Sequence, residues 1–161
     1  MDKNKLYSMR YPLIAISIVI IAGIVIGTRA IVITVRRNMD IAEIERRYPE
    51  AIITESGLRY IILEEGAGPR PTAGRMVWVY YTGSLINGQI FDSTDFSGQN
   101  LEFTVGVGNA IAGFDEAVMG MREGERRIII IPPELGYGNM RLRNVPARSF
   151  LIFDLYLFRL R

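Results

Sequence analysis

The pattern of apolar and polar positions divides the chain into one long apolar segment and a body of short alternating runs. Residues 13–35 are almost wholly apolar and carry a single charge, Arg29. About 20 apolar residues are enough for a helix to cross a bilayer. We therefore predict a single-pass transmembrane anchor at 13–35, behind a basic N-terminal flank at 1–12. A cleaved signal peptide, with Thr28-Arg29-Ala30 as a poor cleavage site, is the alternative.

The next segment changes to a polar pattern with helical spacing. Ile41, Ile44 and Tyr48 recur at intervals of three and four residues, and Pro49 follows them. This spacing is typical of one face of a helix, and proline favours its end. We predict a short helical stalk or linker at 36–50 that continues the anchor.

From residue 51 the apolar positions follow the two-residue period of β-strands. One helical stripe interrupts the strands, formed by Ile111, Phe114, Ala117, Val118 and Met121. Asn87-Gly88 between two runs indicates a tight hairpin. Six runs read as strands: GLRYIILEEG, GRMVWVYYTG, GQIFDST, NLEFTVG, ERRIIIIPP and SFLIFDLYLFRL. The body, 51–161, is thus predicted to be α+β, with a curved antiparallel sheet wrapped on one short helix.

Composition removes several classes of function. The chain has no cysteine and no histidine, which excludes disulfides, thiolate metal sites and the usual catalytic triads. We expect no metal and no cofactor. The net charge of +2 comes from a basic excess around the apolar segment, whereas the body is slightly acidic. This distribution is typical of membrane flanks and indicates no nucleic-acid partner.

Eight short motifs in chain order then carry a specific resemblance. They are GLRYIILEEGAG, PTAG, V-x-V-x-YTG, L-x-NG-x-x-FDST, F-x-x-G-x-G, I-x-GFDEAV-x-GM-x-x-GE, IIPPELGYG and FLIFDLYL. With them the body resembles the FKBP-type (tacrolimus-binding) peptidyl-prolyl cis-trans isomerases. The resemblance implies an FKBP-like half-barrel around one helix, with an apolar pocket that accepts proline-containing polypeptides.

The resemblance also implies a set of pocket residues. The catalytic positions are Tyr81, Asp92 and Tyr137. In the family the carboxylate at Asp92 lies at the rim and bonds the Tyr81 hydroxyl, while the Ile111 main chain and the Tyr137 hydroxyl bond substrate carbonyls. The substrate-binding positions are Phe91, Leu101, Ala110, Ile111, Phe114, Val145 and Phe153. Taken singly, the apolar members also fit an ordinary core.

Several residues depart from the family pattern. Phe114 stands where tryptophan is usual, Leu101 where an aromatic side chain is frequent, and Ala110 where a larger aliphatic side chain is common. The segment NMRLRNVPARS replaces the usual flap and makes it basic. These departures favour a second interpretation, a catalytically weak FKBP-like binding or assembly subunit of a membrane complex.

Strand alternation predicts an apolar outer face on the sheet. Successive side chains of a strand point to opposite faces of the sheet. If Tyr81 points into the pocket, Trp78 and Tyr80 lie on the opposite face, where the neighbouring strands add further large apolar side chains. We predict that a protein partner or the bilayer surface covers this patch; the alternative is cross-strand packing with arginine stems over the rings. The patch comprises Trp78, Tyr80, Ile128, Ile130, Ile152, Tyr156 and Phe158.

The sequence as a whole predicts a membrane-anchored isomerase that assists the folding of membrane-proximal or exported chains. Positive charges flank both ends of the apolar segment almost equally, so the positive-inside rule does not decide its orientation. We expect the body on the extracytoplasmic side.

Overall fold

A computed structural model gives the backbone of residues 3–161 and the side chains of residues 25–95 and 98–161. Its helices are α1 Lys3–Arg47, α2 Thr94–Ser97 and α3 Ala112–Gly120, with a 3₁₀ turn at Pro133–Leu135. Its strands are β1 Ile52–Ile53, β2 Arg59–Glu64, β3 Met76–Leu85, β4 Ile90–Ser93, β5 Leu101–Thr104, β6 Arg126–Ile131 and β7 Leu151–Leu160.

The chain forms two compact units, Met1–Ala42 and Glu43–Arg161. The first unit is helical and exposes aliphatic side chains that include Val25, Ile26, Ile31 and Val32. Within the side chains that the structure describes, no helix has the length and apolar content needed to cross a membrane. The predicted basic flank, 1–12, and the first part of the predicted anchor, 13–24, lie outside those side chains.

The second unit is built on one antiparallel sheet with the order β1-β2-β6-β7-β3-β4. The long strand β3 pairs with β7 on one side, while on the other side its first half pairs with β5 and its second half with β4. The α+β prediction is confirmed, with two elements that the sequence did not indicate, β1 and α2. Ser93 caps α2 by accepting a hydrogen bond from the Asp95 N–H.

The residues that alternate with the predicted outer face form the inner face of the sheet. Val77 and Val79 on β3, and Ile129 on β6, are fully buried against the helix α3. From α3, Phe114, Ala117, Val118 and Met121 complete this core. A continuous apolar layer between sheet and helix is the main source of stability in a domain of this size.

The predicted apolar patch on the outer face was wrong for two of its residues. Ile130 is fully buried and Ile152 is 5% exposed. Among the side chains that the structure describes, four buried apolar ones lie outside the main core cluster: Ile44, Ile130, Phe150 and Ile152.

The end of α1 explains this burial. Three residues lie side by side in a row across the outer face: Arg59 of β2, Ile130 of β6 and Ile152 of β7. At one edge of this row Arg59 pairs with Glu45 at 3.9 Å, and at the other Arg47 Nη1 donates to the Ile86 carbonyl at 2.8 Å. The last turn of α1 therefore lies over the row, with the buried Ile44 between these two contacts.

The rest of the outer face is partly covered by its own side chains. The Arg159 guanidinium lies 5.7 Å from the centre of the Trp78 ring, whose Nε1 donates to Glu102. Tyr80 and Phe158 make an edge-to-face contact and stay 41% and 45% exposed. The exposed apolar surface is therefore smaller than the sequence predicts.

Candidate functional site

A cavity of about 430 Å³ opens between the inner face of the sheet and the start of α3. This volume lies within the usual range of small-ligand sites. Its lining is largely apolar and consists of Tyr81, Asp92, Leu101, Asn109, Ala110, Ile111, Phe114, Gly136, Tyr137, Met140 and Phe153.

Aromatic rings form the floor and one wall of the cavity. Phe114 lies at their centre, 5.6 Å from Tyr81 and 5.2 Å from Phe153 between ring centroids, and both contacts are edge-on. Phe91 packs edge-on against Phe153 at 5.6 Å. Edge-to-face packing locks ring orientations and stabilises beyond area burial alone. The cavity walls are thus fixed before any ligand arrives.

Glycines allow these walls to close. A Cβ at Gly83 would lie 2.8 Å from both Phe91 Cζ and Phe153 Cε1, so the two rings fill the space above its backbone. A Cβ at Gly113 would lie 2.6 Å from Ile131 Cγ2, so α3 begins directly against β6. Larger residues at either position would push apart elements that line the cavity.

Asp92 and Tyr81 form a hydrogen-bonded pair at the rim. The Tyr81 hydroxyl donates to Asp92 Oδ2 at 2.6 Å. Tyr81 is half-buried, whereas Asp92 is exposed. The carboxylate thus keeps contact with water and needs no buried counter-charge.

Both cavity tyrosines stay protonated over the physiological range. Burial raises the pKa of Tyr81, and its hydrogen bond to the Asp92 carboxylate raises it further. Burial also raises the pKa of Tyr137, with a smaller effect from the nearby Asp92 charge. Each phenol is therefore a hydrogen-bond donor in this site.

Ile111 and Asp115 connect the cavity to α3. The Ile111 carbonyl accepts from the Phe114 and Asp115 N–H groups, so Ile111 is the N-cap and its own N–H lies outside the helical ladder. The buried Asp115 carboxylate accepts from the N–H groups of Gly106 and Gly108 at 2.7 and 3.3 Å. Asp115 thereby ties the loop that carries Asn109 and Ala110 to the helix.

The structure brings eight of the ten predicted pocket residues together around the cavity. The other two, Phe91 and Val145, do not line it. Phe91 supports Phe153 from behind. Val145 is 3% exposed and belongs to the core cluster, because the flap turns inward at this residue. Sequence reasoning missed Asn109, Gly136 and Met140, and only their adjacency to predicted residues offered a signal.

A second cavity, of about 360 Å³, lies on the outer face. Polar groups dominate its lining, with Arg126 held by Asp154 and Glu64 beside the rings of Tyr80 and Tyr156. Arg126 Nε and Nη2 donate to the two Asp154 carboxylate oxygens at 2.8 and 2.7 Å. Internal ion pairs already satisfy this guanidinium, so the inner cavity is the better candidate for an apolar ligand.

Comparison with known proteins agrees with the geometry of the inner cavity. Residues 68–158 match the family model of the FKBP-type peptidyl-prolyl cis-trans isomerases. The chain belongs to this family. The matched residues include the strand β3 that carries Tyr81, the helix α3 and the whole flap.

Named relatives and a solved structure extend the match of this FKBP-type domain. FK506-binding protein 1A of Neurospora crassa is 44% identical over 100 residues, which are 61% of this chain and 83% of that protein. The crystal structure of AtFKBP13 superposes with a TM-score of 0.66 at 34% identity, covering 68% of this chain and 98% of that one.

Other members of the family are much longer. FK506-binding protein 4 of Mycosarcoma maydis is 41% identical over 104 residues, which are 63% of this chain and only 28% of that protein. The FKBP-type domain is therefore the shared part, and it occurs in proteins of different overall size.

Proposed function

We propose that this chain catalyses cis–trans isomerisation of X–Pro peptide bonds in polypeptide clients. The observation that supports this most is the aromatic-walled cavity with hydrogen-bond donors at its rim. Tyr137 and the Ile111 N–H are placed to orient a bound peptide, while the Tyr81 hydroxyl holds the Asp92 carboxylate at the rim. Family membership of residues 68–158 supports the same activity.

The proposed mechanism needs no bond-making. Rotation about an X–Pro bond has a barrier on the order of 20 kcal/mol, because resonance favours the planar amide. Twisting removes the C–N double-bond character and reduces the amide dipole, so a water-poor cavity favours the twisted amide over the planar one. Each 1.4 kcal/mol of this differential binding gives about a tenfold acceleration. Phe114 and Phe153 supply the apolar surroundings, while Tyr137 and the Ile111 N–H hold flanking carbonyls.

The test is an isomerisation assay of the full chain in detergent with a proline tetrapeptide. We expect turnover above the uncatalysed rate, and a fall in kcat/KM of about tenfold for Tyr81→Phe, because the ring stays and the rim hydrogen bond is lost. Tyr80→Phe, on the opposite face of the same strand, is the matched control and should leave kcat/KM unchanged. Turnover of the unmodified chain at the background rate would remove the proposed activity.

We further propose that the chain works at a membrane. The apolar run of residues 13–35 and the exposed aliphatic side chains of the N-terminal unit, such as Ile26 and Val32, support an anchor. An anchor raises the local concentration of the isomerase near membrane-proximal or exported clients. We place the body on the extracytoplasmic side. Alkaline extraction should leave the chain with the membrane, and protease added outside sealed right-side-out vesicles should digest the body.

A second candidate role, as a binding or assembly subunit of a membrane complex, rests on the outer face. Tyr80 and Phe158 are exposed neighbours there, next to the outer cavity. If a permanent partner covers them, the detergent-solubilised chain should sediment as a complex, and Tyr80→Ser with Phe158→Ser should release it. Sedimentation of the unmodified chain as a lone monomer would count against this role.

A further inference from the structure

The flap, residues 139–149, places a short basic segment beside the mouth of the cavity. Met140 lines the cavity, and Val145 is buried in the core. Met140 is itself 62% exposed, and residues 141–144 between it and Val145 are all exposed. Because consecutive Cα atoms are about 3.8 Å apart, the Arg141 backbone lies directly next to a cavity-lining residue.

Hydrogen bonds at the tip and at the base of the flap define its backbone. The Leu142 N–H donates to the Val145 carbonyl at 3.0 Å and closes the tip. At the base, the Arg148 N–H donates to the Gly138 carbonyl at 2.8 Å, and Arg148 Nε donates to Asn139 Oδ1 at 2.7 Å. Arg148 adopts a left-handed backbone with φ 60°, which a non-glycine residue adopts at a cost. The base of the flap is therefore held in place.

The charges on the tip are unbalanced. Arg148 is occupied by Asn139, but Arg141 and Arg143 form no ion pair with any residue whose side chain the structure describes. Asp92 is the one charged residue of the cavity lining, and it holds the Tyr81 hydroxyl. The nearby helix α3 offers no free carboxylate either, because Asp115 bonds the loop at Gly106 and Glu116 accepts from Thr54 and Ser56.

We propose that Arg141 and Arg143 make this isomerase selective for X–Pro segments that carry an acidic side chain next to the proline. A peptide seated in the cavity passes Met140, so its flanking side chain comes within reach of the two long guanidinium side chains. Arginine is well suited to this because its planar fork matches a carboxylate. This inference rests on the proposed function, since it assigns the substrate class of the same cavity.

The expected effect is moderate because both arginines are in water. Exposed ion pairs are weak, so two of them should raise kcat/KM for an acidic peptide by about three- to tenfold over its neutral counterpart. Salt should reduce this ratio, since both guanidinium groups are exposed and salt screens ion pairs at the surface.

The test compares peptides that differ only in one residue beside the proline, with Glu, Gln or Lys placed before it or after it. We expect the full chain at low salt to prefer Glu over Gln over Lys at one of these positions. Arg141→Gln with Arg143→Gln should abolish the preference while leaving the Gln peptide unaffected. Arg141→Glu with Arg143→Glu should reverse it in favour of Lys. The matched control is Arg70→Gln with Arg75→Gln, which changes the net charge equally outside the cavity lining.

The inference and the proposed function fail separately. Equal kcat/KM for the Glu and Gln peptides in the unmodified chain, or a preference that survives in the Gln double variant, would overturn the inference while isomerisation stands. If no peptide is turned over, the activity fails, and Kd values for the same peptides then decide the inference. Tighter binding of the Glu peptide that the double variant loses supports it, and equal Kd values overturn it.

Discussion

At the scale of single residues, the polar side chains of the cavity include two tyrosines that stay protonated at physiological pH. Tyr81 and Tyr137 have raised pKa values because they are half-buried near the Asp92 carboxylate. The chain contains no histidine, which is the usual source of proton transfer near neutral pH. The side chains that line the cavity are therefore suited to holding a peptide and to excluding water.

A flat pH profile follows from this arrangement. We expect kcat/KM to stay constant from about pH 6 to 9, because rotation moves no proton and both phenols remain protonated. Stability should behave differently at higher pH. The pKa values of Tyr81 and Tyr137 are higher in the folded chain than in the unfolded chain. Their contribution to the free energy of unfolding is therefore complete below about pH 10 and is lost as the pH rises above that value. Kinetic assays and thermal unfolding across this range measure both, and a bell-shaped kcat/KM profile would contradict the mechanism.

Gly83 is the residue on which the aromatic wall depends most directly. In Gly83→Ala the new Cβ meets Phe91 and Phe153 at 2.8 Å, so the rings have to shift, and overpacking typically costs about 1–3 kcal/mol. We expect a lower melting temperature and a lower kcat/KM, because Phe153 lines the cavity. Ser84→Ala, one residue along the same strand, is the control and should change neither. A fully active Gly83→Ala would show that the wall tolerates displacement.

At the scale of elements, Asp115 links helix α3 to the loop before it. In Asp115→Asn the charge is lost, and so is one of the two backbone hydrogen bonds from Gly106 and Gly108, because the amide NH2 group cannot accept. We expect a loss of about 1–3 kcal/mol of stability. KM should rise more than kcat falls, since Asn109 and Ala110 line the cavity without taking part in rotation.

The neighbouring carboxylate provides the control for this prediction. Glu116→Gln removes the same charge from the same helix, but Glu116 bonds Thr54 and Ser56, away from the cavity lining. Its kcat and KM should match those of the unmodified chain. Similar kinetics for the two variants would mean that Asp115 does not position the loop.

The elements also show what the sequence was able to predict. Strand alternation predicted which side chains of β3 and β6 lie on the inner and which on the outer face of the sheet, because a two-residue period depends only on local backbone geometry. Burial of Ile130 did not follow, because the end of α1, which contacts Arg59 and Ile86 on either side of this row, is distant in the chain. Val145 does not line the cavity, because the chain turns inward at this residue and buries its side chain in the core. The pairing of Asp92 with Tyr81, by contrast, came from the family resemblance.

At the scale of the whole molecule, the compact unit that carries the site begins at Glu43, before the boundary at residue 51 that the sequence suggested. The last turn of α1 is thus expected to be part of the folded body. Burying a large aliphatic side chain contributes about 1.5–3 kcal/mol, and the residues 43–50 help to bury three of them, Ile44, Ile130 and Ile152.

Two fragments test this boundary. We expect residues 43–161 to fold as a stable monomer and residues 51–161 to melt earlier and to associate through the uncovered isoleucines. Ile44→Ala within the longer fragment should lower its stability by about 2–4 kcal/mol. Circular dichroism and sedimentation measure both effects. Equal melting temperatures for the two fragments would show that the turn contributes nothing.

The strand order also affects how the protein is made. The sheet's central strand, β7 at Leu151–Leu160, is the last strand of the chain and lies between β6 and β3. The strands β6 and β3 are synthesised before β7, their common partner, so until then each has an edge that is open to unwanted pairing. The half-barrel can close only when residue 160 has emerged. Closure of the half-barrel is therefore a late step in the synthesis of this domain.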